Sequence, residues 1–134
     1  MRRSGESEVP IVNVLLWIVQ IVLAAAFLAA GAMKLAQPRE RQVARMKWVE
    51  DVPETGIKAI GALEVVGAIG LILPGALGIA VLLTPLAAVG LAALMLGAAG
   101  LHARRSEPSH IATNVVLLAL AVVIAWGRFG PYHF

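Results

Sequence analysis

Four long apolar stretches, separated by polar segments of unequal length, set the pattern of this chain. The first runs from about Ile11 to Ala36 and is interrupted only by Asn13, Gln20 and Lys34. The second, about Ile57–Leu73, carries Lys58 and Glu64. The third is about Leu77–Leu101, and the fourth, about Ile111–Gly127, holds Asn114 in its first turns. A helix that crosses the hydrocarbon core needs about 17–25 mainly apolar residues, so each stretch predicts a spanning helix. The first exceeds the apolar core of a cleavable signal peptide, about 7–15 residues, and is expected to be retained.

The connections predict how these helices are joined. "PGALG" (74–78) has no charge and predicts a tight hairpin between the second and third helices. "HARRSEPSH" (102–110) joins the third to the fourth. Residues 37–56 form a longer polar stretch in which Pro38 can open a helix and Pro53 can close one. Within it Ala44, Trp48 and Val52 recur every four residues, with Arg39, Arg41 and Arg45 on other faces. That spacing predicts a short amphipathic helix on the membrane surface, anchored by Trp48 at headgroup level; the alternative is an irregular loop. The expected fold is all-α: an integral membrane four-helix bundle, one domain over residues 1–134, with a surface helix between helices 1 and 2.

Composition agrees with that class. The 134 residues are 60% hydrophobic and 14% charged, with a mean hydropathy of +0.86. A soluble domain carries about 25% charged residues, so this chain has too little polar surface to face water all round. It has no cysteine, which excludes disulfides, thiolate zinc sites, cysteine-held iron–sulfur clusters and dithiol redox cycling. The net charge of +3 does not imply nucleic acid, because no basic face with interleaved aromatics exists.

The basic residues instead speak to orientation. Lys34, Arg39, Arg41, Arg45, Lys47, Lys58, Arg104 and Arg105 fall on the side of the 37–56 and 102–110 loops; Arg2, Arg3 and Arg128 fall on the other. The positive-inside rule then predicts both loops in the cytoplasm and both termini outside, in a multi-pass protein of a cell membrane such as the bacterial inner membrane.

Helix contacts in lipid favour small residues, and Gly90, Ala93, Gly97 and Gly100 form one stripe along the third helix. The stripe predicts packing inside the bundle, with contact between copies of the chain as the alternative. Each helix also brings one polar group to the half nearest the two loops: Lys34, Glu64, His102 and Asn114. Glu64 lies seven residues into its helix, roughly 10 Å deep at 1.5 Å per residue. Helical side chains lean toward their own N-terminus. In antiparallel neighbours, Lys34 and Glu64 therefore lean together. These four residues are the candidate ligand-binding group. Against that stand blander roles: Lys34 snorkelling to the headgroups, His102 as an interfacial residue, and Glu64 in a structural ion pair or as a buried neutral acid. No nucleophile–base pair, P-loop or dinucleotide fingerprint is present, so no catalytic residue is assigned. His102 and His110 both sit by a loop rather than on facing helices at mid-depth, so no haem is expected, nor flavin or metal.

"AFLAAGAMKLAQP", "WVEDVPETGIKAIGALEVVGAIGLILP" and "LTPLAAVGLAALMLGAAGLHARRSE" together resemble the DoxX-like proteins over roughly residues 14–129. The Gly-Ala-Met-Lys-Leu of the first helix, the Leu-Glu-Val of the second, and the Thr-Pro opening and His-x-Arg-Arg closing of the third carry the likeness as an ordered set. The resemblance implies a small four-helix membrane protein. The family name derives from a subunit of a thiosulfate:quinone oxidoreductase, and relatives are associated with oxidative-stress defence or resemble receptor assembly factors. Three functions follow as expectations. The first is a non-catalytic accessory or assembly subunit, with membrane lipids and a second copy or another membrane protein as partners. The second is a subunit that binds quinone or another lipophilic ligand. The third is an oligomeric proton-coupled carrier or channel.

Overall fold

A computed structural model describes residues 8–134. It contains α1 (Glu8–Ala36), α2 (Arg39–Arg45), a 3₁₀ turn (Lys47–Asp51), α3 (Glu54–Leu77), α4 (Leu83–Arg104) and α5 (Pro108–Phe129). Helices α1, α3, α4 and α5 are long and apolar enough to cross a membrane. Arg2 and Arg3, which enter the expected orientation, lie outside the described residues.

The four long helices form a bundle in which α1 packs chiefly on α3 and α4 on α5, while α3–α4 and α1–α5 contacts close the ring. Leu23, Phe27, Leu71, Leu91 and Ile124 fill its centre. Large apolar side chains such as Ile18, Val22, Val66, Leu86 and Val116 point outward and are exposed. Such an apolar exterior is stable only against lipid. The protein is an integral membrane four-helix bundle.

Two glycines bring α1 and α3 close. A Cβ on Gly31 would lie 2.6 Å from the carbonyl oxygen of Gly61, and one on Gly61 would lie 2.9 Å from that of Gly31. Backbone meets backbone there, so no larger residue fits. Ala26, a small residue of α1, is exposed instead.

The expected hairpin lies further along the chain. Pro74 stays inside α3, which continues to Leu77, and Gly78 ends it at φ +67°; α4 then begins at Leu83, not Leu77. Proline removes the N–H that would bond the carbonyl four residues back. Here that carbonyl, Gly70 O, accepts a bond from the Thr84 hydroxyl at 2.9 Å. The next carbonyl, Leu71 O, accepts from Gln20 Nε2 at 2.6 Å. With the freed Gly70 carbonyl bonded from α4 and its neighbour Leu71 O bonded from α1, α3 keeps its course through the proline.

Segment 37–56 carries the expected short helix, α2, which opens after Pro38 but is shorter than the segment: the chain turns extended at Met46 (φ −132°) between α2 and the 3₁₀ turn. Gln42 is buried and its side-chain amide donates to the carbonyls of Met33, Lys34 and Gln37, capping the end of α1. That cap holds the segment against the bundle. As a result Trp48 and Val49 point inward while Ala44 is exposed.

The small-residue stripe does not pack inside the bundle. A Cβ at Gly90, Gly97 or Gly100 would meet nothing within 4 Å. The buried face of α4 is instead Thr84, Ala88, Leu91, Met95 and His102, whose larger side chains reach the neighbouring helices and turn the glycines away from them.

Candidate functional site

At the hairpin end, α3 and α4 touch closely: a Cβ on Gly70 would lie 2.8 Å from Ala87 Cβ, and one on Gly67 would lie 2.7 Å from Leu91. Beside that contact, and on toward the end that carries α2 and the α4–α5 connection, here the loop end, a groove runs between them. Its volume is about 840 Å³. Its rim includes the exposed Leu63, Val66 and Leu86, so it opens sideways to where acyl chains lie. Gly90, Ala93 and Gly97 line the groove, and their lack of side-chain bulk helps to keep it wide.

The groove is apolar along its length and polar at the loop end. Lys34, Glu64, His102 and Asn114, predicted from four different helices, all line it, as does Trp48. All five are buried. Lys34 Nζ meets Glu64 Oε1 at 2.9 Å, the geometry that the opposed lean of the two side chains requires. The ammonium also lies 5.8 Å from the centre of the Trp48 ring, within cation–π range. Trp48 is therefore not the headgroup anchor read from its spacing; it closes the polar end of the groove from inside.

His102 connects the groove to the surface. Its Nδ1 is 3.0 Å from Glu107 Oε1. An ionised carboxylate can only accept, so Nδ1 carries the hydrogen. Its ring meets Trp48 edge-on at 5.8 Å between centres and stacks on His110 at 4.7 Å. Glu107 also takes a bond from Arg105 Nε at 3.2 Å. The His102 bond, followed by the charges of Arg105 and the two histidines, holds the Glu107 carboxyl below its usual value. Arg105 further pairs with Asp51 and with Glu50, and its pKa is raised chiefly by the Asp51 bond. The α4–α5 connection is thus clamped to the 3₁₀ turn that carries Trp48.

Asn114 differs from its neighbours. It is 8% exposed, and among the described residues its Nδ2 has no hydrogen-bond partner. A buried amide left unsatisfied costs about 1–3 kcal/mol. Asn114 thus brings a buried amide donor to the polar end of the groove, which the Lys34–Glu64 pair also lines, and such a donor suits an acceptor atom on a molecule with an apolar body.

Sequence reasoning missed a second polar group at the opposite end. Arg128, counted as an external basic residue, is 2% exposed. It donates to Gln20 Oε1 and Asn13 Oδ1, each at 2.7 Å. The visible signal was three polar residues, Asn13, Gln20 and Arg128, in the same half of two apolar stretches. The Glu107–Arg105 clamp was missed because both residues read as loop charges.

No curated protein and no solved structure matches the chain. Residues 18–124 match the DoxX-like family. With the four spanning helices, that match identifies the chain as a member of the DoxX-like family of integral membrane proteins.

Proposed function

We propose that this protein binds a lipophilic molecule in the groove between α3 and α4, apolar tail along the glycine-lined wall and polar head against Asn114. The head must offer a hydrogen-bond acceptor, as the carbonyl of a quinone does. The observation that carries this reading is the unpartnered Nδ2 of Asn114 at the inner end of an apolar, laterally open groove. Small-molecule sites commonly pair a mainly apolar lining with a few converging polar groups. The reading includes an orientation: the loop end in the cytoplasm, both termini outside, in a bacterial inner membrane, on the basic-residue asymmetry. A non-catalytic accessory role is compatible with it, the ligand serving chemistry on a partner. In a second reading the groove receives a transmembrane helix of that partner, which the unpacked Gly90 and Gly97 favour.

The test uses Trp48 as reporter, in a Trp17→Phe/Trp126→Phe background purified in a non-ionic detergent. Decylubiquinone is titrated as the probe. Saturable quenching that disappears on Gly97→Phe is the expected result. Quenching that rises linearly and is indifferent to Gly97→Phe reflects partition into micelles and refutes the site.

A further inference from the structure

The hairpin end of the bundle holds a buried cation whose charge the described residues do not answer. Arg128 lies in the last turn of α5 and is 2% exposed. Guanidinium stays protonated in any protein environment and offers five N–H donors. Three are used: Nε to Gln20 Oε1, and Nη1 to Asn13 Oδ1 and to the carbonyl of Tyr132 at 2.9 Å. Each acceptor is neutral. Among the described residues the buried Nη2 has no partner and no carboxylate forms an ion pair with Arg128. A buried charge is ordinarily paired, because desolvation of an isolated one is not recovered by neutral dipoles alone.

Position narrows the missing partner. Arg128 shares its level with Asn13, in the second turn of α1, beside the C-terminal end of α5. That is the boundary where a spanning helix meets the headgroups, and the anions concentrated there are lipid phosphodiesters. The guanidinium is also arranged for an oxyanion: its neighbours fix Nε and Nη1, so Nη2 presents two hydrogens without further reorganisation.

The cover is slight. Residues 131–134 fold back over Arg128, and the Phe134 ring centre lies 4.1 Å from the guanidinium carbon. The same ring packs near Trp17 at 5.4 Å and over Gly75, where any Cβ would collide with it. Yet Phe134 is 37% exposed, and the segment is held by few bonds: Tyr132 N–H to Gly127 O, His133 N–H to Gly130 O, the Arg128–Tyr132 bond, and the Tyr132 ring on Trp126. It can swing away without breaking the bundle.

We propose that Arg128 is the centre of an oxyanion site, capped by residues 131–134, that receives the phosphodiester of a phospholipid when the cap opens. This site stands at the opposite end of the bundle from the groove and does not depend on what the groove binds.

The experiment is native mass spectrometry and thermal unfolding of the lipid-stripped protein in a non-ionic detergent. Phosphatidylglycerol, inorganic phosphate and diacylglycerol are added separately. One phosphatidylglycerol per chain should be retained with a raised melting temperature, and diacylglycerol should do nothing. Phosphate acting as well as the lipid would keep the oxyanion site and make free phosphate a source. Phe134→Ala removes part of the cap, including the ring that lies over the guanidinium, and leaves Arg128 and its three hydrogen bonds in place. It should tighten binding about tenfold, because the open form no longer competes with a closed one. Arg128→Lys, which keeps the charge but loses the fork, should weaken it. Binding indifferent to both variants belongs to other basic residues and overturns the proposal. So does a loss of stability in Glu6→Gln or Glu8→Gln equal to that of Arg128→Gln with no response to lipid. In that case a carboxylate from outside the described side chains answers the charge.

Discussion

The hydroxyl of Thr84, in the first turn of α4, donates to the carbonyl of Gly70 in α3, the group that Pro74 leaves without its helical partner. The pair explains why a helix can run through a proline in the middle of a membrane protein. It also ties the two helices together where they lie closest. Thr84→Val keeps the shape and removes the donor, which should cost about 1 kcal/mol in a membrane protein. In a Pro74→Ala background residue 74 regains its N–H, and Thr84→Val should cost clearly less. Unfolding of the four variants in detergent measures the coupling; equal costs in both backgrounds would show that Thr84 matters only for packing.

Lys34 and Glu64 form a second pair for the same treatment. Both are buried and 2.9 Å apart, so losing one partner strands the other in a low-dielectric site, which costs about 3–5 kcal/mol when a buried pair is broken. Lys34→Met should be the worse single change, because Glu64 lies deeper in the bundle and has no route to the headgroups. Glu64→Gln keeps a hydrogen-bonding shape beside Lys34 and should be milder. The double variant should be more stable than Lys34→Met alone. Additive effects in a thermal-unfolding cycle would mean the ions act independently.

Much of this arrangement was legible in the sequence, and the failures have identifiable causes. Apolar run length located four helices, and side-chain lean brought Lys34 to Glu64, because both follow from backbone geometry that every helix shares. The sequence reading puts the turn four residues early because "PGALG" looks like a helix breaker locally, whereas Thr84 and Gln20 bond the carbonyls around the proline from other helices. Trp48 was put on the membrane face because periodicity cannot show the break at Met46, which depends on Gln42 capping α1. The glycine stripe was read as an interface because small residues allow close approach. They do not compel it, and here the larger side chains on the next face of α4 make the contacts.

Glycines therefore divide into two classes that one assay separates. Gly31→Ala would push a methyl group against the Gly61 carbonyl oxygen and Val65, and overpacking of this kind costs about 1–3 kcal/mol. Gly97→Leu adds bulk where nothing lies within 4 Å and should leave the melting temperature of the single chain nearly unchanged. Destabilisation by the leucine would mean that another chain occupies that face in the purified protein.

The clamp at the loop end should respond to acid. Glu107 has a depressed pKa in the folded protein, chiefly through its bond from His102. A carboxyl group whose pKa falls on folding adds stability above its unfolded value and loses it as pH falls through the folded value. The Glu107 contribution should therefore be constant near neutrality and fade below about pH 4.5, the ordinary glutamate value. Melting curves between pH 7 and pH 3 would show a steeper acid loss for the parent than for Glu107→Gln. Parallel curves would mean that the clamp does not contribute to folding.

Asn114 gives the sharpest separation of stability from binding. Among the described residues its buried Nδ2 has no partner, so the fold bears the cost of desolvating an amide it does not use. Asn114→Leu replaces that amide with an apolar group of similar size, a change that is neutral or stabilising when no hydrogen bond is lost. The melting temperature should therefore hold or rise. A ligand head that accepts from Nδ2 would lose that bond, and its affinity should fall about tenfold for about 1.4 kcal/mol. The Trp48 titration with decylubiquinone reads the second effect and thermal unfolding reads the first. If Asn114→Leu lowers stability and leaves the titration unchanged, Asn114 is a structural residue, and the groove recognises its occupant elsewhere.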